Sequence, residues 1–167
     1  MLIGHLPAGY LLTKGLLKKL KLPYSPWWFG LGLAAAIFPD LDFAYWYFFN
    51  YDGSNHHNYI SHISFFYLMA LLLCLLIYQI FKKAWLKFGL IIVFLNIFLH
   101  LILDSCFTGI KWLWPFAGQF IGIYNVGGSG GLLVDNYLAH WYWYLELALW
   151  VWAILTVILS YRKGEIK

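Results

Sequence analysis

Residues 88–105 read FGLIIVFLNIFLHLILDS. The stretch is long and apolar enough to cross a bilayer, which takes about 20 residues of helix. Yet it carries Asn96, His100 and Asp104 at its end. On a helix, residues four apart lie on one face, so the three polar groups form a stripe that runs up to the helix terminus. This stretch therefore specifies a membrane span and a polar site at the same time. His100 and Asp104 suit a metal ion. They also suit a helix end with a capping acid and an interfacial imidazole.

Working outward, Ile63–Phe81 is almost wholly apolar, and Trp141–Tyr161 is apolar except for Glu146. Trp27–Phe49 is long enough to span but is broken by Pro39-Asp40-Leu41-Asp42. Its helix is expected to end near Phe38, leaving the aromatic run Phe43–Phe49 at the interface, where such rings collect. Leu2–Leu17, with His5, Pro7 and Lys14, is the weakest span: it crosses, or it lies tilted inside the bundle.

Of the 167 residues, 63% are hydrophobic, 22% aromatic and 11% charged. Soluble domains average about 25% charged residues, so the expected fold is an all-α integral membrane protein. It forms one domain, residues 1–167, of about five (four to five) transmembrane helices. The net charge of +4 does not point to nucleic acid, because the basic residues flank apolar spans. Cys74 and Cys106 form no zinc-binding spacing and no expected disulfide. No signal-peptide pattern opens the chain, so the spans are expected to direct targeting.

Lys14, Lys18, Lys19 and Lys21 precede the second segment, Lys82, Lys83 and Lys87 join the third to the fourth, and Arg162, Lys163 and Lys167 follow the fifth. By the positive-inside rule this end is cytoplasmic. All six histidines, five of the seven acids and the loop 105–139 then fall at the other end. That loop carries Trp112-Leu113-Trp114-Pro115-Phe116 and Gly127-Gly128-Ser129-Gly130-Gly131. Its length and aromatic content suit a lid folded over the bundle.

Two acids in a membrane segment are costly and usually face a cavity, a partner or a metal. If Asp40–Asp42 is extended, as a residue ahead of Pro39 favours, the two carboxylates project to one side. His57 and His62 bracket Asn58–Ser61, with Ser61 or Asn58 a plausible cap for the following helix. The candidate metal ligands are His5, Asp40, Asp42, His57, His62, His100 and Asp104. They come from four helix ends that the topology places at one level. Asp40 is also the candidate catalytic base. His56, Asn96, His140 and Glu146 are candidates to support the ligands from behind, with Glu146 on the same helical face as Tyr142. Lys111, the one basic residue at this end, is a candidate for binding a substrate anion or is a snorkelling lysine.

Such a donor set suits one to three divalent ions, zinc foremost. Ions of this kind lower the pKa of bound water to about 7, and paired ions suit phosphoester hydrolysis. The leading reading is a membrane-embedded hydrolase for a lipid or lipid-linked phosphoester. The alternatives are a transporter or ion-handling protein using the same cluster, and an assembly factor with a structural metal. Transporters usually hold their site near mid-membrane between repeats, and no repeat is visible here. Substrate, metal and oligomeric state are not specified.

The order His5, Pro39-Asp40-Leu41-Asp42, His57, Ser61-His62, His100-Leu101-Ile102-Leu103-Asp104, Gly109 and Leu113-Trp114-Pro115-Phe116 resembles the YdjM-type family of membrane-bound metal-dependent hydrolases of bacteria and archaea. The resemblance covers residues 1–116 and is more distantly similar to zinc-dependent phospholipase C and P1-type nucleases. It implies a hydrolase of the cytoplasmic membrane. Its ligands would be His5, Asp42, His57, His62, His100 and Asp104, with Asp40 as ligand or general base. Asn58 stands where that family often has Arg, and Ile63 where Ser is usual. Lys111 would have to replace the missing cation.

Overall fold

A computed structural model of the chain describes residues 3–49, 56–106, 109–123 and 141–165. It is all-α, with helices α1 (His5–Lys19), α2 (Pro26–Ile37), α3 (Leu41–Phe49), α4 (Ser64–Phe81), α5 (Ala84–Ser105) and α6 (Trp141–Arg162). Two short 3-10 turns, His56–Asn58 and Ile60–His62, lead into α4. Three of the helices, α4, α5 and α6, are long and apolar enough to cross a membrane, and α2 is a shorter apolar helix.

Local chemistry sets the boundaries. Lys18 and Lys19 fill the last turn of α1, where cations complement the helix dipole. Lys21 then takes a left-handed φ of 55° and the chain turns back. Pro26 opens α2; its fixed φ suits a first helical position and its missing N–H is not needed there. Lys82, with φ 47°, reverses the chain so that α4 and α5 run antiparallel, joined by Lys82 and Lys83 alone.

Helices α1, α2 and α5 form the inner group, with α4 against α5 and α6 against α1. Backbones approach closely where α1 meets α2. A Cβ on Gly32 would lie 2.0 Å from Thr13 Oγ1, and one on Gly9 would lie 2.4 Å from the Ala36 Cβ. Small residues at such crossings let membrane helices gain dispersion contacts that larger ones would block. Asn96 donates from Nδ2 to Thr13 Oγ1 at 3.1 Å and to Ile92 O at 2.8 Å, so it ties α5 to α1. The outer face of α4 presents Leu72, Leu73, Leu76 and Ile80 outward, as a lipid-facing surface requires.

Helix α2 ends at Ile37 with Phe38 as its cap, φ −55° and ψ −42°, as expected, but two other expectations change. The chain then turns tightly, Asp40 N–H donating to Ile37 O and Phe43 N–H to Asp40 O, so Asp40–Asp42 is not extended. Neither Ser61 nor Asn58 caps α4. The cap position is Ile63, without a side-chain bond, while Ser61 Oγ donates to Asp42 Oδ2. The first segment is helical over His5–Lys19 and packs against α2, α5 and α6.

Candidate metal centre

Asp104 is the hub of the site. At the end of α5 it is 1% exposed. Its Oδ2 lies 3.0 Å from His100 Nε2, 3.5 Å from His62 Nε2 and 3.8 Å from His57 Nε2. Its Oδ1 lies 3.1 Å from His5 Nε2. Four imidazoles from distant parts of the chain thus converge on one carboxylate. Burying an anion this deeply costs several kcal/mol unless cations or donors surround it.

The imidazoles form two stacked pairs. His5 lies on His100 with ring centroids 3.7 Å apart, and His57 on His62 at 4.5 Å. Asp40 joins the first pair from the α2–α3 turn, with Oδ1 3.4 Å from His100 Nε2 and Oδ2 3.8 Å from His5 Nε2. The ligand atoms form two groups, each within 4.8 Å: His5, Asp40, His100 and Asp104, and His57, His62 and Asp104. Asp104 belongs to both.

The far sides of three of the four rings are pinned, whereas His5 Nδ1 is buried with no hydrogen-bond partner. His100 Nδ1 donates to Ala36 O at 2.7 Å, and His57 Nδ1 to Gly109 O at 3.1 Å. His62 Nδ1 donates to Asp42 Oδ2 at 2.7 Å. A carbonyl only accepts, so the proton sits on Nδ1 and the Nε2 lone pair of a neutral ring is left for a cation. Metal-ligating histidines are held in this way by a carboxylate or carbonyl behind them. His100 Nε2 is buried with no aligned hydrogen bond, the state expected of a ligand atom. Chemistry, burial and direction of this donor set all fit a divalent ion.

Asp40 and Asp42 meet opposite edges of one ring: Asp40 Oδ1 is 3.6 Å from His62 Nε2, whereas Asp42 binds Nδ1. Asp42, expected among the ligands, is therefore placed behind His62, with Ser61 Oγ donating to the same oxygen. Burial tends to lower the His62 imidazole, but Asp104, Asp40 and Asp42 overcome it and push it up to about 11. Burial tends to raise Asp40, but His100, His62 and His5 hold its carboxyl well below the usual range.

Glu146 is fully buried beside Tyr142 on α6. Its Oε2 accepts from Ile3 N–H at 2.8 Å, and Trp150 Nε1 donates to Ile3 O at 3.0 Å. Both hold the backbone two residues before His5. Asn96 bonds Thr13 and its own helix, joining helices rather than orienting a ligand. Lys111 Nζ lies 5.1 Å from the centroid of Phe120. The His56 side chain, His140 and the Gly127–Gly131 run lie outside the described residues.

The start of the expected lid folds back on the site. Ile110 and Ile121 pair backbone to backbone, and Ile123 N–H donates to Ser105 O. Gly109 has φ +80°, and a Cβ on Gly122 would lie 2.5 Å from its Cα. This close pairing fixes the carbonyl that holds His57. Sequence reasoning missed the two carbonyl anchors, Ala36 and Gly109; backbone acceptors carry no residue-type signal.

The order of these residues along the chain matches a known pattern: the profile of the YdjM inner membrane proteins aligns with residues 1–166. The chain belongs to the YdjM family. No curated protein and no solved structure matches. The YdjM match extends past residue 116, where the quoted motifs end, and takes in α6 with Glu146. The family description places the protein in the inner membrane, in accord with the apolar helices.

Proposed function

We propose that this YdjM protein is a membrane-embedded metal-dependent hydrolase that cleaves a phosphoester of a lipid or lipid-linked substrate. The observation that carries this reading is Asp104, buried and shared between two groups of imidazoles, three of which, His57, His62 and His100, are held from behind at Nδ1. A carboxylate shared between two cations is the arrangement that in-line phosphoryl displacement uses. Zinc is the favoured ion for so many imidazoles, and its contribution would be water acidified to near neutrality and charge neutralisation on the phosphoryl oxygens.

His5, His57, His62, His100, Asp40 and Asp104 would hold the ions. Asp42 keeps His62 in the donor tautomer. Asp40 is the most exposed of the converging carboxylates, at 31%, so it is placed to take a proton from an attacking water. The buried side of the cluster excludes bulk water, and the exposed side at Asp40 admits substrate. The site faces the non-cytoplasmic side, since the lysines mark the opposite end. The likeness to phospholipase C and P1-type nucleases, in the His-x-x-x-Asp of His100 and Asp104, belongs to this proposal.

Metal analysis of purified protein tests it. At least one equivalent of divalent transition metal is expected, lost in His100→Ala. Hydrolysis of a phospholipid in mixed micelles should stop with chelator and return with zinc. Less than one equivalent, unaltered by His100→Ala, would overturn the proposal.

A further inference from the structure

The lysine-rich end of the bundle holds a second constellation, at the end of α1 opposite His5. Lys14 Nζ bonds Ser160 Oγ, lies 3.3 Å from Thr156 O and 3.6 Å from Glu165 Oε2. Lys18, Lys163 and Tyr24 complete a pocket of about 230 Å³ between the ends of α1 and α6. This pocket shares Lys14, Lys18, Tyr24 and Thr156 with a groove of about 520 Å³ between α1, α5 and α6. The groove is otherwise apolar, walled by Leu11, Leu12, Leu99, Leu103, Leu149 and Trp152.

The two features have matching dimensions and opposite chemistry. From Ala8 to Lys18 the groove follows about 15 Å of helix at 1.5 Å per residue, half of a hydrocarbon core of about 30 Å. That is the depth of one leaflet and the reach of one acyl chain. Lys14, Lys18 and Lys163 outnumber Glu165 at its basic end. Lys14 is occupied by Ser160, Thr156 and Glu165, and Lys18 and Lys163 lie exposed at the rim. Basic pockets between membrane helices are the sites that take anionic headgroups.

We propose that this pocket and groove bind one anionic phospholipid, with its phosphate at Lys18 and Lys163, Lys14 behind them, and one acyl chain in the α1–α5–α6 groove. The phosphate then sits at the opposite end of α1 from His5, so the lipid is a resident of the fold and not the reacting phosphoester. The proposal does not depend on the hydrolase reading.

Native mass spectrometry of the full chain tests it, with phosphatidylglycerol and phosphatidylcholine of identical acyl chains as probes. One phosphatidylglycerol should bind at least tenfold more tightly than the phosphatidylcholine. Lys18→Glu combined with Lys163→Glu should abolish that preference, and both positions are exposed. Gly15→Phe leaves the lysines intact, and a Cβ there meets nothing within 4 Å. It should fill the groove and lower retention of both lipids. Thermal melting confirms that each variant folds. Equal binding of the two lipids, or no effect of either variant, overturns the proposal. Displacement of phosphatidylglycerol by millimolar inorganic phosphate would instead assign the lysines to a free anion, which also overturns it.

Discussion

Asp42 shows how much depends on one oxygen. It lies behind His62 and bonds the far nitrogen of that ring at 2.7 Å. Partners of this kind are worth about 10–100-fold in metal affinity. Asp42→Asn should weaken metal binding by about that factor, whereas Asp104→Asn, which touches both ligand groups, should remove it. Calorimetric titration of stripped protein with zinc distinguishes the two. The same titration tests the charge state. With His62 raised from 6.5 to about 11, the ring holds its proton at neutral pH. Metal must expel that proton, so affinity rises with pH up to about 11 and protons are released. Titration at pH 7 in buffers of different ionisation enthalpy should show protons released as the His57–His62–Asp104 group fills; none released would mean that His62 does not bind. At this scale the sequence showed the donors but not their ranks. The extended reading of Asp40–Asp42 made the two acids equivalent; the helical Phe38 and the turn after it send them to opposite edges of one imidazole.

Helices set the distances that these residues need. The α1–α2 crossing works because Gly32 and Gly9 carry no side chain where Thr13 and Ala36 approach. Gly32→Val should cost about 1–3 kcal/mol, as overpacking of a close contact does. Thr13→Ala in the same chain should recover part of the loss, and thermal unfolding in detergent reads both. At the start of α1, Glu146 holds Ile3 from α6. Glu146→Leu should free the segment that carries His5 and lower zinc affinity several-fold. Glu146→Gln keeps an acceptor for the Ile3 N–H and should bind nearly normally; equal loss in both would assign Glu146 a charge role instead. The apolar runs were legible within a few residues because a bilayer demands length and hydropathy, both linear properties of sequence. The close α1–α2 crossing was not, since a glycine reads the same whether it faces lipid, loop or another helix.

For the whole molecule, the segregation of lysines from histidines predicts an orientation. Phe116 is 91% exposed on the folded-back loop, and Gly164 follows α6 at the basic end. With Cys74 and Cys106 replaced by serine, Phe116→Cys in intact cells should react with a membrane-impermeant maleimide, after outer-membrane permeabilisation where one is present. Gly164→Cys should react only after lysis. The reverse pattern would put the centre on the cytoplasmic side. The sequence by itself determined that the chain is helical and membrane-bound, because about 20 apolar residues in a row leave no other way to satisfy the backbone in lipid. It also marked His5, Asp40, Asp42, His57, His62, His100 and Asp104 as one set, because polar residues are too costly within spans to lack a purpose. Only the tertiary structure decided that Asp104 is the hub, that Asp42 stands behind His62, and that Ala36 and Gly109 supply anchoring carbonyls. Those roles depend on distances of a few ångströms between residues up to a hundred positions apart, which are fixed when the helices pack.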